Sequence, residues 1–116
     1  MARLFTSVVL AVLVAACGGG EPESTKYTQT WTTPYGETTC IDWNTAMNDH
    51  QRFVMAADML YSARKRDGGD EIPPDSMIAG FEAYIQSVCD ADFGEMGGKV
   101  SEAAALAYTL DATYHP

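Results

Sequence analysis

Basic residues are scarce in this chain. Seven Lys and Arg stand against sixteen Asp and Glu, a formal charge of −9. So acidic a small domain repels nucleic acid and anionic lipid headgroups, which leaves neutral or cationic partners and no nucleic acid. Histidine is nearly missing too. His50 and His115 are the pair available, and neither neighbours a serine or cysteine in a recognisable nucleophile setting. There is no G-x-S-x-G, no H-E-x-x-H and no phosphate-cradling glycine loop. No C-x-x-C or paired histidine suggests a metal or redox centre. The stretch Asp90-Ala91-Asp92-Phe93-Gly94-Glu95 approaches a calcium loop, but its glycine falls one position early and Ser101 stands where the closing glutamate belongs. A solvated loop is the expectation there. These absences point away from an enzyme, and no cofactor is expected.

Long apolar runs are also lacking beyond residue 14. The one near the start, Leu4 to Val14, is broken only by Thr6 and Ser7, follows Arg3, and is too short to span a bilayer. It ends in Val14-Ala15-Ala16-Cys17. A cysteine directly after two alanines resembles the lipobox of bacterial lipoproteins, in which the thiol receives a diacylglyceryl group and cleavage leaves that cysteine first. Residues 1–16 are therefore expected to be a lipoprotein signal peptide, with Cys17 the lipidation site. Residues 17–26, rich in Gly, Pro, Glu, Ser and Thr, read as a flexible tether that cannot bury a core. Loss of residues 1–16 removes Arg3 and no acid, moving the formal charge to −10. Two acyl chains hold a membrane stably where one does not. The expected location is outside the cytoplasm, lipid-anchored to the cell membrane or to the periplasmic side of an outer membrane.

Residues 27–38 alternate threonine and aromatics, an extended, strand-like pattern, with a turn at Pro34-Tyr35-Gly36. A lone hairpin is marginal, so this segment is expected to lie against helices through Tyr27, Trp31 or Tyr35. From residue 39 the period becomes helical. Thr39 and Asp42 form a capping box opening a helix to about Met47; Asn48 and Gln51 open a second to about Arg66. The second helix turns Phe53, Ala57 and Leu60 inward and ends in Arg64-Lys65-Arg66 before a Gly68-Gly69 stop. Pro73-Pro74-Asp75 starts a third, whose apolar face is Ile78, Phe81, Ile85 and Val88. A loop over Asp90 to Lys99 leads to a fourth, from Val100 to Tyr114, with Ala103, Ala107, Leu110 and Tyr114 inward. The fold class is thus mainly α: a small four-helix domain over residues 39–116.

Three cysteines are an awkward number for an exported domain. If lipid consumes Cys17, then Cys40 and Cys89 remain as a pair, and a disulfide is permissible outside the cytoplasm. Closing the loop between them is worth ~4 kcal/mol in the chain-entropy model, comparable to what so small a core supplies by itself.

The segments Thr39-Cys40-Ile41-Asp42-Trp43 and Ile85-Gln86-Ser87-Val88-Cys89 resemble the HdeA-type acid-stress chaperones of the bacterial periplasm. Those are small, exported four-helix domains with one disulfide. The resemblance covers about residues 38–114. It implies a domain that is folded and dimeric near neutrality and that loosens in acid to coat unfolding clients with apolar surface. A homodimer and unfolded-client binding are therefore expectations here. The client-binding and core residues expected are Trp43, Phe53, Leu60, Phe81, Ile85 and Leu110. The lipid anchor and the stronger acidity depart from that family. Near pH 2 the charge would swing to about +8, a strain on a marginal domain. A reading of a different class is a fixed-partner envelope interaction module, such as a phage-encoded lipoprotein that excludes superinfection.

Overall fold

The structure, a computed structural model, describes residues 25–116; the expected signal peptide, Cys17 and most of the expected tether lie outside the described residues. The domain is mainly helical, with no strand among the described residues. Its helices are α1 (Cys40–Thr45), α2 (Asp49–Arg66), α3 (Asp75–Cys89), α4 (Asp92–Glu95) and α5 (Val100–Leu110).

The helix starts follow from local chemistry. At α1, the Thr39 hydroxyl accepts from the Asp42 N–H while the Asp42 carboxylate accepts from the Thr39 N–H. At α2, Asn48 and Gln51 close the same reciprocal box. Each box satisfies two amide donors that a helix start would otherwise leave unpaired. At α5, the Glu102 carboxylate accepts from the Lys99 N–H. Helix α2 stops where expected: Gly68 takes a positive φ of 101° and the Gly69 N–H returns to the Arg64 carbonyl at 2.8 Å, a conformation cheap only for glycine.

Helix α3 is the centre of the domain, packing most extensively against α5 and α2. Trp43, Met55, Leu60, Ile78, Phe81, Ile85, Val100 and Ala107 are buried in one cluster. The small alanines of α5 (Ala103, Ala104, Ala107) allow that helix to approach closely. Cys40 and Cys89 are joined by a disulfide, their Cα atoms 5.1 Å apart. It ties the first turn of α1 to the last turn of α3. A second clip lies beside it: Thr39 and Lys99 form an isolated antiparallel bridge, with the Cys40 N–H donating to the Gly98 carbonyl and the Val100 N–H to the Thr38 carbonyl, both at 2.9 Å.

Three expectations need correction. Helix α5 ends at Leu110, not Tyr114, because Asp111 adopts extended dihedrals and its side chain captures the Thr113 N–H at 3.0 Å. Leu110 is consequently turned out and 65 % exposed, so it is not a core residue. Tyr114 does reach the core, but from a 3₁₀ turn over Ala112–Tyr114, with its ring edge-on to Phe81 at 5.1 Å. The loop expected at residues 90–99 contains α4. Its Gly94 is buried so tightly that an added Cβ would lie 1.9 Å from the Cys89 carbonyl oxygen. The threonine-aromatic segment makes no strand: Pro34 and Glu37 close a 3₁₀ turn at Tyr35–Glu37, and the remainder is an irregular arm.

Candidate functional site: an arm and a groove on helix α2

Tyr27, Trp31 and Tyr35 are spaced by four residues, and all three are half-buried against the core cluster. The Tyr27 ring stacks on Phe53 with centroids 6.1 Å apart. Lys26 pairs with Asp75 at 3.0 Å, which raises the lysine pKa mainly through that hydrogen bond. The His50 Nε2–H donates to the Thr28 carbonyl at 3.1 Å, and the Gln51 amide donates to the Thr30 hydroxyl at 3.1 Å. Gln29 bridges in both directions. Its amide donates to the Gln51 carbonyl and to the Tyr35 hydroxyl, and its carbonyl accepts the N–H groups of Thr30 and Trp31. The arm is thus fastened to the first half of α2 through side chains rather than by a backbone ladder.

Its far end is the best-anchored part. The Tyr35 hydroxyl donates to Asp58 at 2.6 Å. Burial and that carboxylate together push the Tyr35 phenol up to about 12. The Trp31 indole N–H donates to the Thr38 hydroxyl, which in turn donates to the Pro34 carbonyl. Thr38 is fully buried, and this chain satisfies its hydroxyl.

Beyond Tyr35 an open groove of about 330 Å³ continues between α2 and α5. Met59, Ala63, Phe81, Ala105 and Tyr108 supply its apolar lining. At the opposite end Tyr108 donates to Asp67 at 2.5 Å; burial, then that carboxylate, raises its phenol. Tyr35 and Tyr108 are each tied to a carboxylate, and Ser62, Arg66, Ser101 and Thr109 line the groove beside its apolar side chains. Such a groove suits a polypeptide segment with apolar side chains and polar edges.

Exposed apolar side chains also lie outside the groove, Ile72 among them. Glu102 is the one charged residue of α5, and Leu106 and Leu110, four apart, are 44 % and 65 % exposed. Ile41 and Met96 are exposed near the disulfide, Met96 at 84 %.

The expected client-binding and core residues fall into three groups. Trp43, Leu60, Phe81 and Ile85 are fully buried, Phe53 is half-buried beneath Tyr27, and Leu110 is on the surface. Trp43 also donates through its indole to Gln86 at 2.8 Å. The histidines are far apart in role: His50 holds the arm, and His115 donates to the Tyr108 carbonyl at 2.7 Å. Asp90, Asp92 and Glu95 belong to no group of three or more side chains able to hold a metal, and none exists among the described residues. Among those residues, no helix is long and apolar enough to cross a membrane. Sequence reasoning placed the arm against helices through Tyr27, Trp31 or Tyr35 without naming their partners. Asp58 and Met59 carry no sequence signal for an arm 23 residues away. Compared with protein families, curated proteins and solved structures, the chain matches none.

Proposed function

We propose that the protein is an envelope-facing lipoprotein, anchored through lipid on Cys17, whose helical domain binds protein and does not turn over a substrate. Within that class the leading role is an HdeA-like chaperone that takes up unfolding clients in acid. The support is the apolar surface that a strongly acidic chain retains. A groove floored by Met59, Ala63 and Phe81 runs along α2, and Leu106 and Leu110 stand out from α5. Apolar surface retained on a small charged domain is characteristic of sites that meet other proteins.

The pH response has two opposed parts. Asp111 is held below the usual carboxylate range by its hydrogen bonds to Thr113. A depressed folded-state pKa contributes stability above the unfolded value and loses it as pH falls through the folded one. Glu82 is pushed up, first by burial, with Arg52 opposing and Asp49 adding to the shift. Its protonation on acidification favours the folded state. Acid loosening thus depends on the general swing from strongly negative to positive charge overcoming Glu82.

A fixed-partner envelope module is the second reading, and Leu106 and Leu110 favour it, because their exposure does not depend on pH-driven opening. The experiment compares the full chain at about pH 2–3 and at pH 7. A dye sensitive to apolar surface and suppression of light scattering by an unrelated acid-labile protein are the two readouts. Gain of both signals in acid is expected. No suppression at either pH would set the chaperone role aside in favour of the fixed partner.

A further inference from the structure

We propose that the cradle on α2 occupied by residues 25–38 is the domain's polypeptide-binding site, and that the arm is a resident ligand which a client segment of the same chemistry replaces. This inference rests on the protein-binding reading and names its site and its regulation.

Three observations carry it. First, the arm is bound through alternating aromatic and polar contacts, as a docked peptide is. Tyr27 and Tyr35 contact Phe53 and Asp58, and polar spacers reach the α2 groups between and before them: Thr28 to His50, Gln29 and Thr30 to Gln51. Second, the arm before Tyr35 is held without a backbone ladder. Most of its fastenings pass through side chains, and the amides of Thr30 and Trp31 are satisfied by the arm's own Gln29. A segment held this way opens at lower free energy than the helices beneath it. Third, the cradle does not end where the arm ends. Tyr35, Asp58 and Met59 line one end of the open groove between α2 and α5. The arm opens from its Lys26 end, since Tyr35 and buried Thr38 hold the other, and a segment lying in the groove would extend into the contacts that Tyr27 to Trp31 vacate.

The chemistry of the occupant follows from the arm itself. It is an irregular stretch with aromatic residues every fourth position, mostly hydroxyl and amide side chains between them, and one base before the first aromatic to meet Asp75. A cationic or neutral client fits the acidic surface; an acidic one does not. The arm continues directly into Thr39 and helix α1, so its occupancy of the cradle is intramolecular. For a short connection the effective concentration is on the order of millimolar, which keeps the site closed to weak competitors.

The test uses a fluorescent peptide with the sequence of residues 25–38, titrated by anisotropy with the full chain. Wild type should bind it poorly. Lys26→Ala with Tyr27→Ala, which loosens the resident arm, should bind it at least about tenfold more tightly, since the intramolecular competitor is weakened. Adding Phe53→Ala should return binding toward the wild-type level, while a scrambled peptide of the same composition should not bind. Equal binding by wild type and the loosened variant, or equal binding of the scrambled peptide, overturns the proposal. Hydrogen exchange on the unmodified wild type gives an independent check that needs no variant. Amides of residues 28–34 should exchange while those of α2 and α3 stay protected, and exchange of the arm only with the whole domain overturns it. Peptide binding without suppression of client aggregation would leave the cradle standing and the chaperone role fallen. Suppression by a chain that never binds the peptide would do the reverse.

Discussion

Replacing Gly94 by alanine asks whether α4 is the cap that holds the disulfide corner together. A Cβ at this position would lie 1.9 Å from the Cys89 carbonyl oxygen, 2.8 Å from its carbonyl carbon and 3.3 Å from the Cys40 Cβ. The obstacle is backbone, so no rotamer change relieves it. To reach even 3.0 Å, helix α4 would have to retreat by about 1 Å, and an overpacked site of this kind costs ~1–3 kcal/mol. The upper end is expected, because the disulfide fixes Cys89 from the other side. The retreat also carries Phe93 away from Gly98, where the ring fills the space a side chain would occupy. At ~4–8 °C per kcal/mol for a domain of this size, Tm should fall by roughly 10–20 °C. Urea denaturation of the oxidised protein measures the same loss. Gly36→Ala is the control: its Cβ meets nothing within 4 Å, and a change within about 0.5 kcal/mol is expected. In a Cys40→Ala, Cys89→Ala background the Gly94 penalty should shrink, because the wall it strikes can then move. A Gly94→Ala protein within about 0.5 kcal/mol of wild type would refute the close packing of α4 on Cys89.

Other perturbations separate the buried from the exposed apolar residues and the anchor from the domain. Leu60→Ala, in the core, should cost ~2–5 kcal/mol in denaturant unfolding, whereas Leu110→Ala should stay within about 0.5 kcal/mol. Tyr35 should ionise near 12, above the ordinary tyrosine range, when tyrosinate absorbance is followed on raising the pH. Its contribution to arm docking is complete below the free phenol's pKa and is lost as pH rises through about 12, so Trp31 fluorescence should report arm release in that alkaline window. Cys17→Ser should abolish incorporation of labelled palmitate; equal labelling of mutant and wild type would remove the lipid anchor from the proposal.

The parts of the fold that could be read along the chain are those whose causes are local. Thr39 with Asp42, and Asn48 with Gln51, specify α1 and α2 through bonds spanning three residues, and both boxes are present. Pro73-Pro74 similarly precedes α3 because a proline-fixed φ suits a helix entrance. What could not be read has tertiary causes. Helix α4 is four residues, DFGE, too short for periodicity, and depends on Gly94 fitting against Cys89. The inward period of Ala103 and Ala107 extrapolates to Leu110 and Tyr114, but Asp111 breaks the helix and only Tyr114 returns to the core. Tyr35 finds Asp58 across 23 residues and Tyr108 finds Asp67 across 41, distances at which neither spacing nor propensity carries information.

The threonine-aromatic pattern of residues 27–38 shows why periodicity can suggest the right exposure and the wrong structure. Alternation predicts a surface-lying extended segment because one set of side chains prefers burial, and Tyr27, Trp31 and Tyr35 are indeed half-buried. A strand also needs a neighbour to receive its amides. Here that neighbour is a helix, whose interior backbone donors and acceptors are already paired. The arm therefore turns to side chains: Gln29 for its own amides, His50 and Gln51 for Thr28 and Thr30, Asp58 for Tyr35. A segment satisfied mostly by side chains has no ladder to break cooperatively. It can leave one contact at a time from its Lys26 end, and another segment can take the same contacts in turn. The feature that prevents this stretch from being a strand is the one that makes its cradle reusable.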